Sequence, residues 1–262
     1  MKIKQTTFIG IAIFAVLVSW YLWNKKNYST KSNRSKNTLT VGIAAGYAPW
    51  ISINQSGEYE GFDIDVIKQT AENMNRTLIL KDLGSMSSLL IALEQGSIDA
   101  IIWGMSITQE RLQKFAMVHY QGEKLTSYQL LFWQQTPTGI TSFNDMAGMT
   151  VCIEPSSAQH SVIAKYPNII QLPTESIDLG LFNIQYGKAA AVFVEPAIAK
   201  KFTAKFPEIQ TLDIALDRDD QVNGVGIMIK KENRDLIIKV TAAVKHLKEN
   251  GFIAQAQTRW GL

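Results

Sequence analysis

The sequence predicts an α/β protein of two lobes, each a mostly parallel sheet flanked by helices. Apolar strand-like runs alternate with amphipathic helical stretches from Leu39 onward, which is the pattern of sheets covered by helices. A chain of 262 residues is long for one core and fits two medium lobes. Between two sets of alternations lies a long extended run, residues 125–134, with Tyr128, Leu130 and Phe132 set against Ser127 and Gln129. It ends near Pro137 and reads as a strand leaving one lobe for the other.

The composition is that of a folded protein, with 46% apolar and 19% charged residues. The formal charge of +3 is an N-terminal effect. Seven of the 26 Lys/Arg lie in residues 1–38, which hold no acid, so 19 basic residues face all 23 acids in the remainder. That remainder is mildly acidic, and nucleic-acid binding loses its main support. The single cysteine, Cys152 in Val151-Cys152-Ile153, excludes an intrachain disulfide and reads as a buried thiol. His119, His160 and His246 share no spacing. No metal site, cofactor or catalytic group is expected. Asp217-Arg218-Asp219-Asp220 reads as a solvated hinge loop.

Residues 8–23 are apolar or weakly polar throughout and follow a basic start, the layout of an export signal. Ser19-Trp20-Tyr21-Leu22-Trp23 is too bulky for a small-x-small cleavage site, and its aromatics suit a membrane interface. At ~1.5 Å per residue the run reaches roughly 24 Å, short of a ~30 Å hydrocarbon core. Residues 1–23 therefore read as an uncleaved signal-anchor, with a cleaved signal sequence as the alternative. The lysines that follow the run oppose this orientation under the positive-inside rule. Residues 24–38, polar and acid-free, read as a flexible tether.

In the first lobe, residues 39–43 form a strand leading into a small-residue loop that presents Tyr47. Residues 51–60 read as a hairpin around Gln55-Ser56-Gly57. Gly61-Phe62-Asp63-Ile64-Asp65 opens a helix with Asp63 as the expected cap and Ile64, Ile67, Ala71 and Met74 at helical spacing. A strand at 78–80 and a helix at 87–94, stopped by Gly96, precede a buried strand at 98–102. That strand delivers Trp103-Gly104-Met105-Ser106-Ile107-Thr108-Gln109-Glu110-Arg111, with a helix leaving at Thr108. A strand end, a glycine, a hydroxyl and an arginine on the first turn make a place to hold a carboxylate. Backbone N–H groups favour anions there, and Arg offers a planar two-pronged donor.

The second lobe repeats the alternation. Residues 142–146 lead to a strand at 150–153, which runs into the turn Glu154-Pro155-Ser156-Ser157-Ala158-Gln159. A strand at 169–172, a helix at 176–186 and a strand at 190–194 follow. Glu195-Pro196 then starts a helix. Pro suits the first helical position, but Glu is a poor cap, so a carboxylate at this strand end leans toward function. A strand at 224–229, an amphipathic helix at 233–250 stopped by Gly251, and a short helix at 252–260 close the chain.

Three stretches carry a family resemblance: Gly61-Phe62-Asp63-Ile64-Asp65, Gly104 through Arg111, and Leu247-Lys248-Glu249-Asn250-Gly251 with Trp260. Together they resemble the extracytoplasmic amino-acid-binding proteins of ABC importers, solute-binding protein family 3, from about Leu39 to Trp260. The resemblance implies a type II periplasmic-binding-protein clamp. Lobe 1 is residues 39–132 plus 223–262, and lobe 2 is residues 136–219, with two hinge crossings. It implies Arg111 as partner of the ligand α-carboxylate, helped by the Gly104 N–H and Ser106. Glu195 stands where relatives have an aspartate for the α-ammonium. Ser156, Ser157 and Ala158 add second-lobe contacts, with Gln159 beside them. Tyr47 and Met86 sandwich the ligand stem, and Trp103 lines the floor.

The resemblance also places Glu154 at a second-lobe position that touches the ligand side chain, where a buried carboxylate would want a cation. Arginine or lysine is favoured, and a glutamine-like ligand is the neighbouring choice. Ala44 departs from members that carry an acid in the first loop. The implied setting is periplasmic, with ABC importer membrane subunits as partners and a monomer as the working unit. Two other functions fit the same scaffold: a cyclohexadienyl (prephenate or arogenate) dehydratase-like enzyme, and a membrane-tethered amino-acid sensor.

Overall fold

The computed structural model describes residues 37–262. The expected signal-anchor, and the tether up to residue 36, lie outside the described residues. Among the described residues no helix is long and apolar enough to cross a membrane. Leu39–Leu262 forms one unit built on two five-stranded sheets.

The first sheet contains β1 (Thr38–Ile43), β4 (Thr77–Asp82), β5 (Ala100–Ile101), β6 (Phe115–Leu125) and β12 (Val222–Lys230), in the order β4-β1-β5-β12-β6. The hairpin β2 (Ser52–Ile53) and β3 (Tyr59–Glu60) is separate. Its helices are α1 (Phe62–Asn73), α2 (Met86–Glu94), α3 (Gln109–Lys114), α7 (Arg234–Glu249) and α8 (Phe252–Trp260). Leu39, Val41 and Ile43 of β1 join Phe62, Ile64 and Ile67 of α1 and Leu236, Val240, Val244 and Leu247 of α7 in one core. The last set recurs every three or four residues, as a half-buried helix requires.

Asp63 does not cap α1. The cap position is Gly61, with no side-chain bond, and Asp63 lies one residue inside the helix with its carboxylate turned into the core at 0% exposure. Gly61 has φ 132°, and a Cβ there would run into the Trp50 carbonyl, so the turn requires glycine.

The second sheet orders β11 (Ile209–Ala215), β7 (Ser127–Trp133), β10 (Ala191–Val194), β8 (Thr150–Ile153) and β9 (Ile170–Pro173). Its period-two alternation sorts side chains onto two faces. Tyr128, Leu130, Phe132, Val151, Ile153 and Phe193 share one core with Val162 and Ile163, which lie in or beside α4 (Ala158–Ile163). Leu131, Cys152, Val192 and Val194 share the other with α5 (Ile177–Gln185) and α6 (Pro196–Lys205). Cys152 is a buried thiol in this layer.

Both sheets are parallel where the strand–helix alternation was legible, as in β1 with β5 and β8 with β9 and β10. They are antiparallel where the crossing strands join. The crossings lie side by side: Leu125 pairs with Val222, Ser127 with Ala215, and the Leu216 N–H donates to the Thr126 carbonyl at 2.8 Å. β7 therefore belongs to the second lobe, and the first lobe ends near residue 126, not at 132 as expected, because the extended run pairs with β10 and β11. In the loop expected to be solvated, Asp220 pairs with Lys165 at 2.6 Å.

Candidate functional site

The strand β5 carries the chain to the cleft between the sheets, and Thr108 caps α3 by accepting the Arg111 N–H at 3.2 Å. That cap sets Arg111 on the first turn, pointing back toward the strand end. Arg111 is 8% exposed. Its Nη1 donates to the Ser106 carbonyl at 2.9 Å, and its Nη2 donates to the Ser156 carbonyl of the other lobe at 3.2 Å, 3.8 Å from Met86 Sδ. Among the described residues no carboxylate lies within 4.0 Å of this guanidinium. Burial pulls its pKa below the usual arginine value, opposed by Tyr128 and the acids Glu195, Glu110 and Glu154.

Glu195 faces it from the end of β10. It occupies the cap position of α6 without making a cap bond. Its Oε1 instead accepts the Ser106 hydroxyl at 2.5 Å. The carboxylate is 9% exposed. Burial raises its pKa, while Ser106, the Arg111 charge and Gln159 oppose the rise. Glu154, at the end of β8, is pushed up to about 7 by burial and then by Glu195, with Arg111 opposing and Glu175 adding to the rise.

One cleft gathers Tyr47, Met86, Trp103, Gly104, Ser106 and Arg111 from the first lobe. From the second it gathers Glu154, Ser157, Ala158, Gln159 and Glu195. Tyr47 packs on Trp103 with ring centroids 5.4 Å apart. Ser157 caps α4 by accepting the His160 N–H. Ser156 is not on the cleft wall, but its carbonyl holds Arg111 and its hydroxyl lies 3.1 Å from that of Ser87. It sits at φ 63°, a left-handed conformation uncommon for a residue with a Cβ. Ile177, Phe193, Val194 and Ile198 also line the cleft; an apolar residue in a strand or helix carries no local signal that separates a cleft wall from core.

The geometry corrects one expectation. The Gly104 N–H is not offered to the cleft. It donates to Asp63 Oδ2 at 2.6 Å, because the left-handed backbone at Gly104 (φ 54°) turns the amide inward. A Cβ at this position would meet the Tyr47 ring at 3.2 Å and Trp50 at 3.4 Å, so glycine here serves close packing as well as backbone freedom.

The cleft encloses about 30 Å³, room for a water or two and too little for an amino acid. Two bonds cross it between the lobes, Ser106 to Glu195 and Arg111 to the Ser156 carbonyl, while the Trp103 indole N–H is buried without a partner. A 580 Å³ cavity flanks it and shares Ser106, Glu195 and Ile198. A 200 Å³ chamber on another side shares Tyr47, Trp103 and Glu154 and adds Glu175 and Asp178. The 580 Å³ cavity is walled mainly by apolar side chains, with Glu123, Lys200 and Lys201 besides Glu195, whereas Arg111 of one lobe and Glu154 and Glu195 of the other converge on the small cleft. That convergence makes the small cleft the candidate site.

Two mixed sheets flanked by helices, joined by two adjacent crossings, define a two-lobed clamp of the type II periplasmic-binding-protein class. Residues 39–262 match the bacterial extracellular solute-binding proteins, family 3, and the chain belongs to that family. A probable ABC transporter arginine-binding protein ArtJ of Chlamydia trachomatis serovar D is 30% identical over 100% of this chain and 98% of its own. ABC transporter arginine-binding protein 1 of Escherichia coli K12 is 24% identical over 85% and 90%. Among solved structures, an arginine-specific periplasmic binding protein of Salmonella typhimurium superposes with a TM-score of 0.75 at 25% identity, covering 86% of this chain and 99% of that one. The members of this family bind solutes outside the cytoplasm.

Proposed function

We propose that this protein captures arginine between its lobes and delivers it to the membrane subunits of an ABC importer, performing no chemistry on it. The charge layout carries this reading: a buried guanidinium without a carboxylate partner on one lobe faces the buried Glu195 and the half-buried Glu154 on the other. Arg111 takes the α-carboxylate through its two-pronged donor face. Glu195 and Ser106 take the α-ammonium side, and Glu154 takes the cationic end of the side chain. Tyr47, Met86 and Trp103 wall the ligand stem, and Ser157, Ala158 and Gln159 complete the second-lobe wall. Ala44 leaves the first loop without an acid, which puts the reading of the side chain on the second lobe. The names of the relatives support arginine over other amino acids.

A ligand that bridges the lobes interacts more strongly with the closed state than with the open one, and so drives closure about the two crossings. Entry requires the lobes to part, since Ser106, Glu195, Arg111 and Ser156 bond to one another in the closed cleft. The clamp works as a monomer outside the cytoplasm, where the family binds its solutes.

The test is the amino acid retained by purified protein, identified by mass spectrometry, followed by calorimetry across the amino acids. Arginine bound with micromolar or tighter affinity, about −8 kcal/mol or stronger, is expected. No binding of any amino acid, undiminished binding after Arg111→Ala, or turnover of prephenate or arogenate overturns the reading.

A further inference from the structure

Asp63 lies outside the cleft, and nothing in the capture of a ligand uses it directly. It is nonetheless a carboxylate at 0% exposure, a costly group to bury, and among the described residues no cation lies within 4.0 Å of it. Two donors are aimed at it instead. The Gly104 N–H reaches Oδ2 at 2.6 Å, and the Tyr120 hydroxyl of β6 reaches Oδ1 at 2.6 Å. Burial still pushes this carboxyl up to about 7 against both bonds. A cap role would explain a carboxylate at this point of α1, but Asp63 makes no cap bond.

We infer that Asp63 is a positioning residue for the recognition site, fixing the segment from Gly104 to Ser106 by holding the Gly104 amide. The inference rests on the reading of the cleft as an amino-acid site. Gly104 is the point where the chain turns left-handed out of β5. From there the segment is fixed on its other side by β12: the Gly226 N–H donates to the Met105 carbonyl at 2.9 Å, and the Ile107 N–H donates to the Gly224 carbonyl at 2.9 Å. Asp63 supplies the remaining restraint, at the segment's first peptide. Two residues on, the Ser106 hydroxyl meets Glu195 and the Ser106 carbonyl receives Arg111 Nη1. A peptide free to rotate at Gly104 therefore moves both the hydroxyl and the seat of the guanidinium. Displacements of this size matter in a site whose selectivity depends on bond geometry.

Three variants separate positioning from bulk stability, with arginine as the probe. Asp63→Ala removes the acceptor and is expected to weaken arginine binding at least tenfold. Asp63→Asn keeps an oxygen for the Gly104 N–H and is expected to stay within about threefold of the parent protein, which is rescue by the conservative variant. Tyr120→Phe removes the other bond to Asp63 while leaving the one to Gly104, and is also expected to stay within threefold. A structural role alone would make the dissociation constant track the melting temperature across all three.

The Gly104 amide proton, observed in ¹⁵N-labelled protein, gives a readout independent of the ligand. It is expected strongly downfield in the parent and in Tyr120→Phe, and shifted upfield in Asp63→Ala. If the parent binds no arginine, the functional reading fails, while the amide resonance still tests the Asp63 restraint. If Asp63→Ala does not fold, the Asp63→Asn and Tyr120→Phe pair decides through affinity and the amide resonance. An unchanged Gly104 amide in Asp63→Ala, affinity within threefold in a folded Asp63→Ala, or losses proportional to melting temperature in all variants overturns the inference.

Discussion

Ser106 of the first lobe donates its hydroxyl hydrogen to Glu195 Oε1 of the second at 2.5 Å, across 89 positions of sequence. The bond crosses the cleft, and it occupies one of the two groups that an amino acid bridging the lobes would engage. Glu195 stands at a helix cap without capping, so its carboxylate is committed to the cleft and not to its own helix.

If Glu195 receives the α-ammonium, Glu195→Gln keeps the length and the hydrogen-bonding oxygen but loses the charge. A hydrogen bond to a charged group contributes about 1.5–3 kcal/mol. The dissociation constant for arginine is therefore expected to rise by about 10- to 100-fold, as measured by titration calorimetry. A change below threefold would remove Glu195 from the site.

Arg111 is held by the Ser106 carbonyl of its own lobe and, in the closed cleft, by the Ser156 carbonyl of the other, so closure fixes the orientation of its fork. Arg111→Lys keeps a positive charge but presents a point donor that cannot bridge both carbonyls and a carboxylate. Arginine affinity is expected to fall by about tenfold or more at an unchanged melting temperature. Equal affinity in the lysine variant would show that only charge matters here.

Much of this arrangement was legible in the chain. The strand–helix alternation, the caps Thr108, Ser157, Ser176 and Asn233, and the odd placement of Glu195 at a cap all carry local signals. Two strands did not. β6 holds His119, Glu123 and Lys124, and β11 exposes Gln210, Thr211 and Asp213. Edge strands half in solvent lack the apolar run that marks a buried strand. Asp63 misled for a related reason: a carboxylate at a helix start has a local explanation, and its true partners, Gly104 and Tyr120, lie 41 and 57 residues away. Sequence spacing likewise held no sign that the Ser156 carbonyl would meet Arg111, or that the Gly104 amide would turn away from the cleft.

Gly61 bears on stability more than on recognition. Its φ of 132° is open to glycine and strained for any other residue. A Cβ would also collide with backbone atoms of Trp50 and Ile51, which cannot step aside as the end of a flexible side chain would. The same turn accepts the Phe62 and Asp63 N–H groups on the Pro49 and Trp50 carbonyls at 3.0 and 3.1 Å. Gly61→Ala is expected to cost about 3 kcal/mol or more, read from urea unfolding. A loss under 1 kcal/mol would mean that the loop around Trp50 can yield.

The pH dependence of binding follows from Glu154, whose carboxyl is pushed from its ordinary 4.5 up to about 7 in the ligand-free cleft. Below pH 7 it holds a proton. A cation placed beside it favours the ionised form, so arginine capture expels that proton. By linkage, affinity rises with pH between about 5 and 7, by at most about tenfold per unit for each proton released, and levels off above 7. Glu154→Gln keeps only the part of this slope that belongs to Glu195, whose pKa is also raised by burial.

Folding has the opposite sign. Glu154 and Asp63 are both raised in the folded state, to about 7, so between their ordinary values and 7 the folded chain binds more protons than the unfolded one. The ligand-free protein therefore loses stability as pH rises through that window. Melting temperatures without ligand are expected to fall from pH 5.5 to pH 8, and saturating arginine is expected to shrink the fall, because it stabilises the ionised Glu154. Calorimetric affinities that stay flat from pH 5 to 8 would place Glu154 away from the ligand cation, whatever the melting curves show.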